Sequence, residues 1–174
     1  MIGKNRLFHA VSSSWLLNVL MEPQEPTPRQ AGRVLVIDQA GRVLLLQGFD
    51  PANPSSLHWI TIGGGLEDGE GTAQAAFREL WEEAGINATA SELIGPVWHR
   101  TTEFSFDGMR YRQEEDYYIL RVGEVQVTLA NLDPIERDTI TGYRWWSREE
   151  LAATAEAFFP AELPHLLRLA DDAS

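Results

Sequence analysis

Apolar and polar positions divide the chain into short β-rich runs with few helices between them. Gly32–Asp38 and Arg42–Gln47 are two such runs around Gln39-Ala40-Gly41, which predicts a hairpin. His58–Ile62 is a further strand, preceded by Phe49–Leu57, whose Pro, Asn and Ser read as a loop. Leu93–Phe106 and Arg110–Val122 form a second strand pair joined at Asp107-Gly108, and Tyr143–Trp146 is one more strand. Ser147–Glu150 is a capping box that opens a helix, and Pro164–Leu169 begins another. These elements predict an α/β fold, an α/β/α sandwich with a mixed β-sheet. One domain is expected over residues 31–174. Residues 1–30 are expected to be a helical or disordered extension, in which Met21 is a candidate start.

One helix stands out. Thr72 is placed to cap it, and Gly85 suits the left-handed residue that ends it. At about 100° per residue, Ala73, Ala76, Phe77, Leu80 and Ala84 share an arc that reads as its core face. Glu79, Glu82 and Glu83 share another arc, about 100° wide, with Arg78 beside them. Like charges this close destabilise a helix, and most acidic runs are merely solvated faces. The segment ahead of the helix changes that reading. In Gly63–Gly71, five of nine residues are glycine, so the backbone can approach a ligand closely. No Gly-Lys-Ser/Thr follows as in a P-loop, and the alternating ligands of an EF-hand are missing. A glycine turn feeding a carboxylate-bearing helix points to divalent-metal binding and to cleavage of a phosphate ester or pyrophosphate.

From Gly64 the chain reads G-x5-E-x7-R-E-U-x-E-E-x-G-U, with U aliphatic, through Glu70, Arg78, Glu79, Leu80, Glu82, Glu83, Gly85 and Ile86. This resembles the Nudix box of the Nudix hydrolases, the MutT-like pyrophosphohydrolases, at every motif position. The box covers 23 residues, and the flanking strand pattern extends the resemblance loosely over residues 31–170. The resemblance implies that Glu79, Glu82 and Glu83 ligate Mg²⁺ or Mn²⁺, joined by a backbone carbonyl near Gly64. It implies an orienting salt bridge between Glu70 and Arg78, and a glutamate of the box or of a later loop that activates water. For an auxiliary ligand or base, two acids outside the box are candidates. Glu115 alternates with Gln113, Tyr117 and Ile119 on one strand face. Glu136 precedes the last strand, where Asp133-Pro134-Ile135-Glu136 also makes a good helix start.

Charge arithmetic supports the metal independently. Two like unit charges 4 Å apart repel by about 4 kcal/mol at an effective dielectric near 20, so carboxylates and pyrophosphate need a cation between them. The formal net charge of −12 speaks against a general nucleic-acid surface. The absence of cysteine removes disulfides and thiolate chemistry, and with them the isopentenyl-diphosphate isomerases, which resemble Nudix proteins but use a catalytic cysteine. The apolar run near the N-terminus is too short and broken for a membrane span. The expected protein is therefore a cytoplasmic enzyme with a small-molecule nucleotide substrate, no nucleic-acid or membrane partner, and room for a homodimer. Substrate contacts are less legible. Phe49, Trp59, Phe104, Phe106 and Tyr111 are candidates to stack on a base, and Arg100, Arg110 and Arg112 to reach a distal phosphate. His58 and His99 read as satisfied strand residues. The substrate classes left open are nucleoside triphosphates, nucleotide sugars, ADP-ribose and dinucleoside polyphosphates. A non-catalytic nucleotide-sensing module is the alternative class.

Overall fold

The computed structural model describes residues 25–172, so the expectations for the N-terminal extension and for Met21 lie outside the described residues. Strand β1 (Thr27–Ile37) runs through the middle of the sheet. It begins inside the stretch expected to belong to the extension. β2 (Val43–Asp50) and β3 (Asn53–Gly65) follow, then helix α1 (Thr72–Ala84), then the long pair β4 (Ile94–Phe106) and β5 (Met109–Arg121). A short helix α2 (Pro134–Thr139) leads into β6 (Ile140–Trp146), followed by α3 (Arg148–Ala153), β7 (Phe158–Phe159) and α4 (Leu163–Asp172).

The sheet is mixed, as expected. Its order is β4-β5-β1-β2-β3-β7, with β6 on β2. β1 lies parallel to β5 from Thr27↔Tyr111 to Ile37↔Arg121, and antiparallel to the end of β3 from Ala31↔Gly65 to Val34↔Ile62. Alternation along the strands then makes two cores. Val34, Val36, Leu44, Leu46, Ile62, Tyr118 and Leu120 meet Ala76, Leu80 and Ala84 of α1 on one side. Leu35, Ile37, Val43, Leu45, Tyr117 and Ile119 meet Leu151, Leu163, Leu166 and Leu167 of α3 and α4 on the other. Helices thus cover both faces, which is the sandwich the pattern predicts.

Three local expectations are corrected. The Phe49–Leu57 segment is not a loop, because β2 continues to Asp50 and β3 restarts at Asn53. Its polar residues are tolerated because Asn53, Pro54 and Ser55 are exposed. Gly71, not Thr72, caps α1, and the Gln74 side chain accepts from the Gly71 N–H at 2.8 Å. The Thr72 hydroxyl instead donates to Asp116 Oδ2 at 2.8 Å and meets the Tyr118 hydroxyl at 2.9 Å, which ties the helix start to β5. The core face of α1 is also rotated. Ala73 and Phe77 are exposed, whereas Ala75, Glu79 and Glu83 are buried. The helix can lie this close because of Gly32, where a Cβ would fall 1.9 Å from the Thr72 carbonyl oxygen. Gly85 ends the helix in the left-handed conformation (φ 66°), as the sequence requires.

Candidate active site

The site lies where the end of β3 meets the underside of α1. Gly63 has φ 131°, a conformation that disfavours any residue with a Cβ, and its N–H donates to Glu83 Oε2 at 2.7 Å. At Gly64 an added Cβ would fall 2.1 Å from Glu79 Oε1, so the backbone lies directly against that carboxylate and a side chain there would displace it. The rotation of α1 therefore has a purpose: the helix turns two of its acids inward against the glycine turn.

Those two are joined by a third. Oxygen atoms of Glu79, Glu83 and Glu136 lie within 4.8 Å of one another. Glu136 comes from α2, whose capping box is also formed. Its Oε2 accepts from the Asp133 N–H at 2.9 Å, and its own N–H donates to Asp133 Oδ1 at 2.8 Å. Cap and cluster thus use the same residue. Burial raises the pKa of Glu79, and burial followed by the charge of Glu79 lifts Glu83 well above the ordinary carboxylate range. Burial and the neighbouring Asp133 and Glu82 raise Glu136 as well, although the Asp133 N–H works the other way. Three oxygen donors that resist ionising together fit a hard divalent cation, whose charge would offset their repulsion.

Glu82 is placed differently. Its carboxylate accepts from Nη1 of Arg78 at 2.8 Å and is partly exposed. Arg78 organises the rest of the box: Nε and Nη2 clasp Glu70 at 2.9 and 3.0 Å, Nη2 reaches the Gly65 carbonyl at 2.9 Å, and Nη1 also meets Glu79 at 2.9 Å. The Glu70–Arg78 ion pair implied by the motif is present, and it staples loop to helix with fork geometry. Its hydrogen bonds to Glu70 push the Arg78 guanidinium further into its charged form.

Glu115 is not brought to the cluster. It points to the face away from α1, where it is buried among Arg33, Arg100, Gln113 and Tyr117. Burial works against its charge, but Arg33 and Arg100 outweigh that and hold its pKa below the usual range. Arg100 is correspondingly committed to Glu115 and does not extend toward solvent for a distal phosphate. Trp59 is corrected too: it is a core residue, edge-on to Trp146 at 5.2 Å, with its indole N–H donating to Glu156 at 2.8 Å. His58 and His99 are satisfied by the Ser56 carbonyl and Asp116. Phe49 and Phe106 are half-buried near strand ends. Phe104 and Tyr111 stack on each other at 5.5 Å, with the Arg29 guanidinium over Tyr111 at 5.8 Å.

Beside this pair opens a cleft of about 1090 Å³, lined by Arg29, Leu66, Glu103, Arg110, Arg112 and Glu114 among others. Arg112 is therefore near a cavity, while Arg110 pairs with Glu103 at 3.3 Å. Arg29 is the residue that sequence reasoning missed. A Cβ on Gly65 would fall 2.5 Å from its Nε, which places a cation at the lip of the box turn. Nothing in the local pattern of β1 marks it, because its position depends on β1 pairing with β3.

Similarity to known proteins agrees with this geometry. The NUDIX domain profile matches residues 26–167. The dihydroneopterin triphosphate diphosphatase of Escherichia coli K12 is 36% identical, over 72% of this chain and 81% of that protein. An RNA pyrophosphohydrolase of Cereibacter sphaeroides is 28% identical, over 72% of this chain and 79% of that one. Among solved structures, a C. elegans Ap4A hydrolase binary complex superposes with a TM-score of 0.58 at 25% identity, covering 83% of this chain and 96% of its own. With the box intact, two of its acids turned onto one glycine turn, and the match running from β1 into α4, the chain belongs to the NUDIX domain family as a hydrolase of pyrophosphate bonds.

Proposed function

We propose that the chain cleaves the pyrophosphate bond of a small-molecule nucleotide in a reaction dependent on Mg²⁺ or Mn²⁺. Glu79, Glu83 and Glu136 hold the ion, with the Gly64 backbone beside them. The observation that carries this reading is the convergence of those three carboxylates within 4.8 Å under a turn whose Gly63 leaves no room for a Cβ. When bound, a divalent ion polarises phosphoryl oxygens and lowers the pKa of water. The chain's own residues supply the rest. Arg78 fixes the box loop through Glu70 and Gly65 and keeps Glu82 at the edge of the cluster. Arg29 at the lip of the turn, and Arg112 in the cleft beyond it, offer positive charge to the part of the substrate that leaves the centre. Water attacks one phosphorus, and the products are a nucleoside monophosphate and a second phosphorylated fragment or pyrophosphate.

The similar proteins act on dihydroneopterin triphosphate, on Ap4A and on RNA. A formal charge of −12 repels a long polyanion, which supports the small molecules over RNA. Among the described residues, no helix is long and apolar enough to cross a membrane.

The test is a substrate panel with product identification: nucleoside triphosphates, dihydroneopterin triphosphate, nucleotide sugars, ADP-ribose, dinucleoside polyphosphates and 5′-triphosphorylated RNA, with and without Mg²⁺. Release of a monophosphate from at least one small molecule, only with metal, is expected. Turnover that is unchanged in Glu79→Gln and Glu83→Gln would overturn the site.

A further inference from the structure

Arg33 is a largely buried cation on β1, on the face of the sheet opposite α1. It reaches across to β3, where its Nη1 donates to the carbonyl of Gly63 and, at 3.3 Å, to that of Thr61. The Gly63 backbone is therefore held from both faces, its C=O by Arg33 and its N–H by Glu83, which fixes the peptide groups on either side of its Cα. The fit is tight, because a Cβ on Gly63 would fall 2.7 Å from the Arg33 Cα. The next residue is Gly64, which rests against Glu79.

Arg33 is itself fixed by Glu115. Oε1 of Glu115 accepts from Arg33 Nε at 3.1 Å and from Gln113 Nε2 at 2.7 Å. Oε2 accepts from the Tyr117 hydroxyl at 2.9 Å and from Arg100 Nε. Four donors leave that carboxylate no freedom, so the guanidinium on it can point only one way. A guanidinium can bond an anion through Nε and carbonyls through Nη1 together, which a single ammonium cannot do.

From this geometry we infer that Arg33, locked by Glu115, is the positioning residue of the ion-holding turn, acting across the sheet through the Gly63 backbone. The inference rests on the proposed metal site. It gives Glu115 a definite task, in which it touches neither ion nor substrate.

The experiment is calorimetric titration of Mn²⁺ into the wild type, Arg33→Lys, Glu115→Gln and Glu83→Gln, with thermal unfolding and steady-state kinetics on each. Outer partners of metal ligands typically change affinity by about 10- to 100-fold. Arg33→Lys and Glu115→Gln are each expected to weaken Mn²⁺ binding by that much. Their kcat should fall at limiting Mn²⁺ and recover at saturating Mn²⁺, with KM for the nucleotide little changed. A raised KM with unchanged Mn²⁺ affinity would mean that Arg33 holds substrate phosphate, and would overturn the inference. A lowered melting temperature with unchanged Mn²⁺ affinity would reduce the pair to a fold element and overturn it equally. If Arg33→Lys does not fold, Glu115→Gln decides. Loss of binding in Glu83→Gln alone sinks this inference and leaves the metal site standing; a wild type that binds no Mn²⁺ sinks both.

Discussion

At the scale of single residues, the site depends on side chains that are absent as much as on those present. Gly63→Ala would put a methyl 2.2 Å from the Gly32 backbone oxygen, at a φ of 131° that disfavours any Cβ, so the backbone must yield. Overpacking of this kind costs about 1–3 kcal/mol. We expect urea unfolding to show a loss in that range, and metal titration a weaker site. The raised carboxylates set a pH dependence. Where a folded-state carboxyl has a higher pKa than the unfolded one, the native state holds protons more tightly, so stability falls as pH rises through that window. Burial raises Glu79 and Glu83 in this way. The metal-free protein should therefore melt at a higher temperature near pH 5 than near pH 8, and saturating Mg²⁺ should remove or reverse the trend. Melting curves across pH, with and without Mg²⁺, check both. The box acids themselves are readable from sequence, because motif spacing fixes them. The pairing of Glu115 with Arg33 is not, since it joins residues 82 positions apart through a parallel strand contact.

At the scale of elements, α1 shows how a helical projection misleads at a functional site. Its apolar residues suggest a face containing Ala73 and Phe77, yet Phe77 is 37% exposed and Glu83 only 4%. Hydrophobicity marks the buried face only where burial serves the core alone. Here the turn of β3 takes acids in place of apolar groups. Helix α2 shows the reverse, because its capping box is legible and explains how so short a helix presents Glu136. Asp133→Ala should cost about 1 kcal/mol of stability as a lost N-cap. It also removes the acceptor that anchors the Glu136 N–H, loosening the turn that presents its carboxylate, so metal affinity should drop as well. Unfolding and titration on the same variant separate the two effects. Asp133→Asn keeps the cap acceptor and should restore most of the stability.

At the scale of the whole molecule, strand runs and capping boxes give away the sandwich, but not which strands are neighbours. β1 is the hinge of that difference, with β5 parallel on one side and the glycine end of β3 on the other. Leu80 is fully buried between α1 and the sheet. Leu80→Ala should destabilise the fold by about 2–5 kcal/mol, read as a shifted urea midpoint with unaltered slope. The cluster of Glu79, Glu83 and Glu136 has a consequence at this scale. It joins the first helix of the sheet to a helix that the chain reaches only after the long β4–β5 pair. An ion held there, as proposed, would be a removable cross-link, closing a loop that contains two of the longest strands. Binding free energy then becomes folding free energy, rising with the logarithm of ion concentration above Kd. Chelation should accordingly loosen the link between box and α2, so that the segment between them becomes the first part of the domain a protease can cut.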